Sequence, residues 1–104
     1  MRPLGGAVAR ALRALGIDRD VARASALEAW TAAASAEIGA DAARTRAVRV
    51  EGETLVVAVP TAQWAVEIRL RERQLVARLR QAAPASGVKR IRSVPDHVAE
   101  RDAQ

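Results

Sequence analysis

Cysteine, phenylalanine and tyrosine are absent from this 104-residue chain, and histidine, methionine and lysine occur once each. Without cysteine there is neither a disulfide framework nor a thiolate metal site. His97 has no second imidazole or thiol with which to share a metal. Lys89 follows Gly87-Val88 with no Ser or Thr after it, which excludes a Walker-type phosphate loop. No G-x-G-x-x-G occurs, because the Gly5-Gly6 pair has no strand before it. Ser25, Ser35, Ser86 and Ser93 lack a histidine to activate them. Glu67 and Glu72, five apart on a helix, point in different directions, so they form no acid-base pair. Catalysis, a metal and a cofactor are therefore all unexpected. No apolar run approaches the ~20 residues of a membrane span. Arg2, Arg10 and Arg13 interrupt the apolar positions that a signal peptide would need unbroken. The expected location is the cytoplasm, with nucleoid association open.

What is present is aliphatic and cationic. Half of the residues are hydrophobic, yet the only aromatics are Trp30 and Trp64, so Val, Leu, Ile and Ala must fill the single core that this length supports. The net charge of +5 is unevenly placed. Residues 1–43 balance five arginines with five acids, whereas residues 60–95 hold eight basic residues against Glu67 and Glu72. Codon bias explains why there are sixteen arginines and one lysine, but it does not explain their clustering. A basic segment of this kind suits a polyanion or an acidic protein surface.

The pattern is organised around Leu55 to Leu79. Leu55, Val57 and Val59 alternate with Thr54, Val56 and Ala58, the period of a strand. After Pro60 the spacing of Trp64, Ile68, Leu75 and Leu79 is helical, with Thr61 able to cap the exposed N–H groups. This helix is expected over residues 62–82, stopped by Pro84. Ahead of it, Leu4, Val8, Leu12 and Leu15 mark a short amphipathic helix ended by Gly16. A second helix, capped by Asp18 or Asp20, runs to Ile38 and Gly39 with Leu27, Trp30, Ala34 and Ile38 on one face. Residues 40–45 read as a polar connection. Residues 46–50 read as a strand with Val48 and Val50 inward, turning at Gly52. The register is open, since either Val48 or Val50 can oppose Leu55. A third strand is expected over residues 88–94, and the last nine residues are expected to fray.

The predicted fold is an α/β two-layer domain of order α-α-β-β-α-β, its three-stranded sheet packed against the long helix. An N-terminal helix spans residues 1–18, the main domain 19–95 and a polar tail 96–104. Trp30, Trp64, Ile68, Leu75 and Leu79 form the expected core, with Trp64 an anchor that touches no ligand. The sheet face with Arg49, Glu51, Thr54, Val56 and Ala58 is left partly open. The candidate nucleic-acid-binding residues are Arg69, Arg71, Arg73, Arg78, Arg80, Lys89, Arg90 and Arg92. With no aromatic interleaving, they would read a backbone and show little sequence preference. Glu67 is expected to pair with Arg71 one helical turn away.

Several segments together resemble the DciA family, bacterial proteins that recruit and help load the replicative DNA helicase DnaB. They are Trp30 ahead of Ile38, the hairpin RVEGETLVVAV, the PTAQWAVEIRL corner with Trp64-Ala65 and Glu67-Ile68, LVARL, and VKRIR with Ile91-Arg92. The resemblance covers residues 24–94. It implies a KH-like domain and a non-enzymatic adaptor that binds DnaB and DNA. Two departures stand out: Ser93 occupies a position that is often aromatic in the family, and the long flexible extension that many members carry is expected to be missing or reduced. The chain also has no GxxG loop such as RNA-clamping KH domains use, so sequence-specific RNA binding is not expected. The competing readings are a KH-like RNA- or ribosome-associated protein and a purely protein-binding domain.

Overall fold

The structure is a computed structural model that describes residues 17–103. The amphipathic segment predicted over residues 4–15 lies outside the described residues. Helix α1 (Ile17–Ile38) is followed by a 3-10 turn (Ala40–Arg44), strands β1 (Arg46–Glu51) and β2 (Thr54–Val59), and helices α2 (Ala62–Leu70) and α3 (Glu72–Ala82). A second 3-10 turn (Pro84–Ser86), β3 (Arg90–Pro95) and α4 (Asp96–Ala103) complete the order. The sheet runs β1-β2-β3, with β1 antiparallel and β3 parallel to the central β2. This is the mixed α/β domain that the residue pattern predicts.

Buried on both faces, β2 divides its side chains between two apolar clusters. Leu55, Val57 and Val59 join Ala26, Trp30, Ala33, Ala34, Ile68, Leu75 and Leu79 in the main core between sheet and helices. The alanines of α1 bring its backbone close to the sheet, and this leaves room for the Trp30 indole, which is 1% exposed. Its Nε1–H donates to Thr45 Oγ1 at 3.0 Å, and the Thr45 hydroxyl donates to the Ala42 carbonyl at 2.6 Å. The connection expected to be merely polar thus buries Ala42 and Thr45 and satisfies the one polar atom of the indole.

Four expectations are corrected. Asp18 and Asp20 lie inside α1 rather than ahead of it, so the start of that helix is not set by either as a cap. The long helix breaks at Arg71 (φ −107°, ψ 11°), whose N–H is shared between the carbonyls of Glu67 and Ile68. Neither glycine nor proline marks this break. The hairpin turns at Gly52-Glu53, where Gly52 supplies a φ of 62°, so Val50 opposes Leu55. A bulge between Ala47 and Arg49 then reverses the parity: Ala47 and Val50 meet the main core, while Val48 packs on the opposite face. Lastly, residues 96–103 are helical rather than frayed. In α4, Ala99 is fully buried against Val56, Ala58 and Val94, so the Val56 and Ala58 part of the face expected to be open is covered.

Candidate nucleic-acid interface

Thr61 accepts a hydrogen bond from the Trp64 N–H at 3.3 Å and starts α2 as the residue pattern predicts. Ile68 in α2 and Leu75 and Leu79 in α3 are buried in the same core, and this fixes which side of both helices faces outward. Residues about two positions away from these anchors point to solvent. Arg69, Arg73 and Arg80 are all exposed and make no ion pair among the described residues. Lys89, from the loop before β3, joins Arg73 and Arg80 around a shallow concavity of about 380 Å³ that Glu72, Val76 and Ala77 also line.

The eight predicted cations do not form one patch, because carboxylates divide them. Glu37, near the end of α1, captures two: Arg78 Nε donates to its Oε1 at 2.8 Å, and Arg71 Nη1 donates to its backbone carbonyl at 3.2 Å. Arg71 Nε also donates to Glu67 Oε1 at 2.5 Å, the one-turn pair expected from the spacing. These two arginines tie the helix pair to α1. Lys89 pairs with Glu53 at 2.9 Å, but both side chains are more than half exposed, so a competing anion can displace that contact.

Arg90 and Arg92 lie on β3, on the sheet face that α4 leaves open. Arg92 Nη2 donates to Glu51 Oε1 at 2.8 Å, and Arg49 Nε donates to the other oxygen of the same carboxylate. The Arg49 guanidinium, assisted by Arg92 and opposed by partial desolvation, holds the Glu51 carboxyl below its ordinary value. Arg49, outside the basic segment 60–95, is therefore a third cation of this face. Only its place opposite Val56 in the hairpin register brings it near Arg92. Arg90 is exposed and makes no ion pair among the described residues.

Trp64 is half-buried rather than sealed. It packs on the main core and also lines a concavity of about 410 Å³ with Ile38, Asp41, Arg44, Thr61 and Gln63. Glu72, read only as an acid that finds no catalytic partner, instead accepts the Ile91 N–H at 2.8 Å and anchors the start of the edge strand β3. Among the described residues no group of His, Cys, Asp and Glu is placed to hold a metal ion, and no helix is long and apolar enough to cross a membrane.

These features define a small α/β domain with an unneutralised arginine row on the outer side of its helix pair. The chain matches the model of the family described as Dna[CI] antecedent, DciA, over residues 3–93, and it belongs to that family. Membership gives it a role in DNA replication, within helicase loading in general. A comparison with curated proteins finds no match.

Proposed function

We propose that this protein is a non-enzymatic adaptor that binds the replicative helicase DnaB and DNA and assists recruitment of the helicase. Family membership supports the helicase half of this reading. The observation that carries the DNA half is the contrast among the arginines: Arg69, Arg73 and Arg80 make no ion pair among the described residues, while Arg71 and Arg78 are held by Glu37. Arg73, Arg80 and Lys89 around one shallow concavity can each meet a phosphate oxygen without first breaking a buried contact. Together they amount to three phosphate contacts, for which the logarithm of affinity should fall with the logarithm of salt at a slope of about −2. No base-reading pattern accompanies them, so binding follows charge and backbone path. The KH-like expectation accords with helices covering one face of a mixed three-stranded sheet, but without a GxxG loop no nucleotide clamp is carried over.

The test pairs capture of the cognate helicase with gel-shift titration of single-stranded and forked DNA over a range of salt. The adaptor reading expects both interactions, with R73E/R80E losing DNA binding. A preference for structured RNA with no helicase capture would favour the RNA- or ribosome-associated reading instead. DNA binding that is unchanged in R73E/R80E would remove this row as the DNA contact, and no DNA binding by the unsubstituted chain would leave a purely protein-binding domain.

A further inference from the structure

Among the described residues the large hydrophobic side chains left exposed are Val21, Val66 and Leu70, and two of these three lie one turn apart on α2. Val66 is 56% and Leu70 74% exposed, although both sit in a helix whose opposite side is anchored by Ile68. An apolar pair at i, i+4 on the outside of a helix does nothing for the core and nothing for phosphate binding. It does match the contact that an amphipathic helix makes with another helix.

The surroundings specify the charge of the occupant. Arg69 lies beside Leu70, and Arg73 lies one turn further along. The two acids close by are committed elsewhere: Glu67 to the Arg71 guanidinium and Glu72 to the Ile91 N–H. The apolar pair is therefore bordered by Arg69, which makes no ion pair among the described residues, and beyond it by Arg73, whose neighbour Glu72 keeps its charge while accepting the Ile91 N–H. A second copy of this chain docked through the same face would bring two net-cationic surfaces together, which opposes that contact. The chain's own apolar segment at residues 4–15 carries Arg10 and Arg13 and no acid, so it too is mismatched in charge.

We infer that the Val66–Leu70 turn of α2 is a docking surface for an amphipathic helix of a protein partner, which inserts two apolar side chains and presents a carboxylate to Arg69. This rests on the adaptor reading, in which that partner is the helicase. It divides the outer face, protein at the α2 end and DNA at the Arg80–Lys89 end of α3.

The experiment measures capture of the cognate helicase and of a labelled single-stranded oligonucleotide by the full chain, by V66S/L70S and by R80E/K89E. All of the substituted side chains are exposed, and circular dichroism and a melting curve establish that each variant is folded. The expected result is at least a ~30-fold loss of helicase affinity in V66S/L70S with DNA binding within about twofold, and the reverse pattern in R80E/K89E. R69E should weaken the helicase about tenfold, an effect that shrinks at high salt. If V66S/L70S holds the helicase as tightly as the parent, or if its one effect is to dissolve a dimer seen by sedimentation, the inference is overturned while the adaptor reading stands. If the unsubstituted chain captures no helicase, the adaptor reading falls first and takes the inference with it.

Discussion

The two sides of the α2–α3 helix pair use the same residue types for opposite ends. On the inner side Ile68, Leu75 and Leu79 are buried, and Arg71 and Arg78 reach Glu37 on α1. On the outer side Val66 and Leu70 are exposed, and Arg69, Arg73 and Arg80 carry no counter-charge among the described residues. A leucine or an arginine here has no fixed meaning by itself. Its distance in sequence from the core anchors, and whether a carboxylate from another element stands opposite, decide whether it stabilises the fold or remains open to a partner.

The largest effect that would sharpen this comparison comes from its apolar half. Leu75→Ala should cost about 2–5 kcal/mol through lost burial and a cavity, whereas Leu70→Ala should stay within about 0.5 kcal/mol, as read by denaturant unfolding of the two variants. Equal costs would mean that the outer leucine is covered after all.

Next in size is the polar support of the inner side. Thr45→Val removes the acceptor of the buried Trp30 N–H and should cost about 1–3 kcal/mol, while Trp30→Phe should leave the Thr45-to-Ala42 hydrogen bond in place. A double-mutant cycle between the two positions measures the coupling, and a value near zero would show that the relay does not matter.

Glu37→Gln turns one class of arginine into the other. Two part-exposed ion pairs are weakened, at a cost of about 1 kcal/mol that falls with added salt. Arg78 then becomes available, whereas Arg71 keeps the Glu67 carboxylate and the Glu37 backbone carbonyl, so DNA affinity should rise and its salt slope steepen by roughly 0.7–0.9 unit. Lower stability with no gain in DNA binding would show that freeing an arginine is not enough to recruit it.

The smallest effect is on the open sheet face. The Glu51 carboxyl is held below its ordinary value in the folded state, chiefly by Arg49. Its contribution to stability is therefore present above the ordinary glutamate value and is lost as the pH falls through the depressed folded value. Glu51→Gln should slightly lower stability at neutral pH, leave it unchanged below the depressed folded value, and so slightly flatten the acid limb of a stability-pH curve.

Much of the inner side was legible from residue pattern, and the reason is local. Alternation over residues 54–59, the cap at Thr61, the spacing of Ile68, Leu75 and Leu79 and the Glu67–Arg71 pair all depend on neighbours within one or two turns. What escaped depends on distant or inconspicuous partners. Glu37 is 34 and 41 residues from the arginines that it captures. The bulge that sends Val48 to the opposite face has no marker residue, and neither does the break at Arg71. Helix α4 docks through Ala99, too small a side chain to give a segment an apolar period. Trp64 was expected as a buried anchor because of its place on the Ile68 stripe. Sitting in the first turn of α2, it reaches only the margin of the core and leaves part of its ring in a concavity.

The division of the arginines is tested most directly by fluorescence anisotropy of a labelled single-stranded DNA titrated from about 50 to 200 mM salt, the range over which phosphate contacts reveal themselves. R73Q/R80Q should bind about tenfold more weakly at the higher salt and lose roughly 1.5 units of slope, with an unchanged melting temperature. R71Q/R78Q should keep both affinity and slope while melting earlier. Equal losses of slope in the two variants would contradict the account, because the arginines held by Glu37 would then be meeting phosphate as readily as those left open.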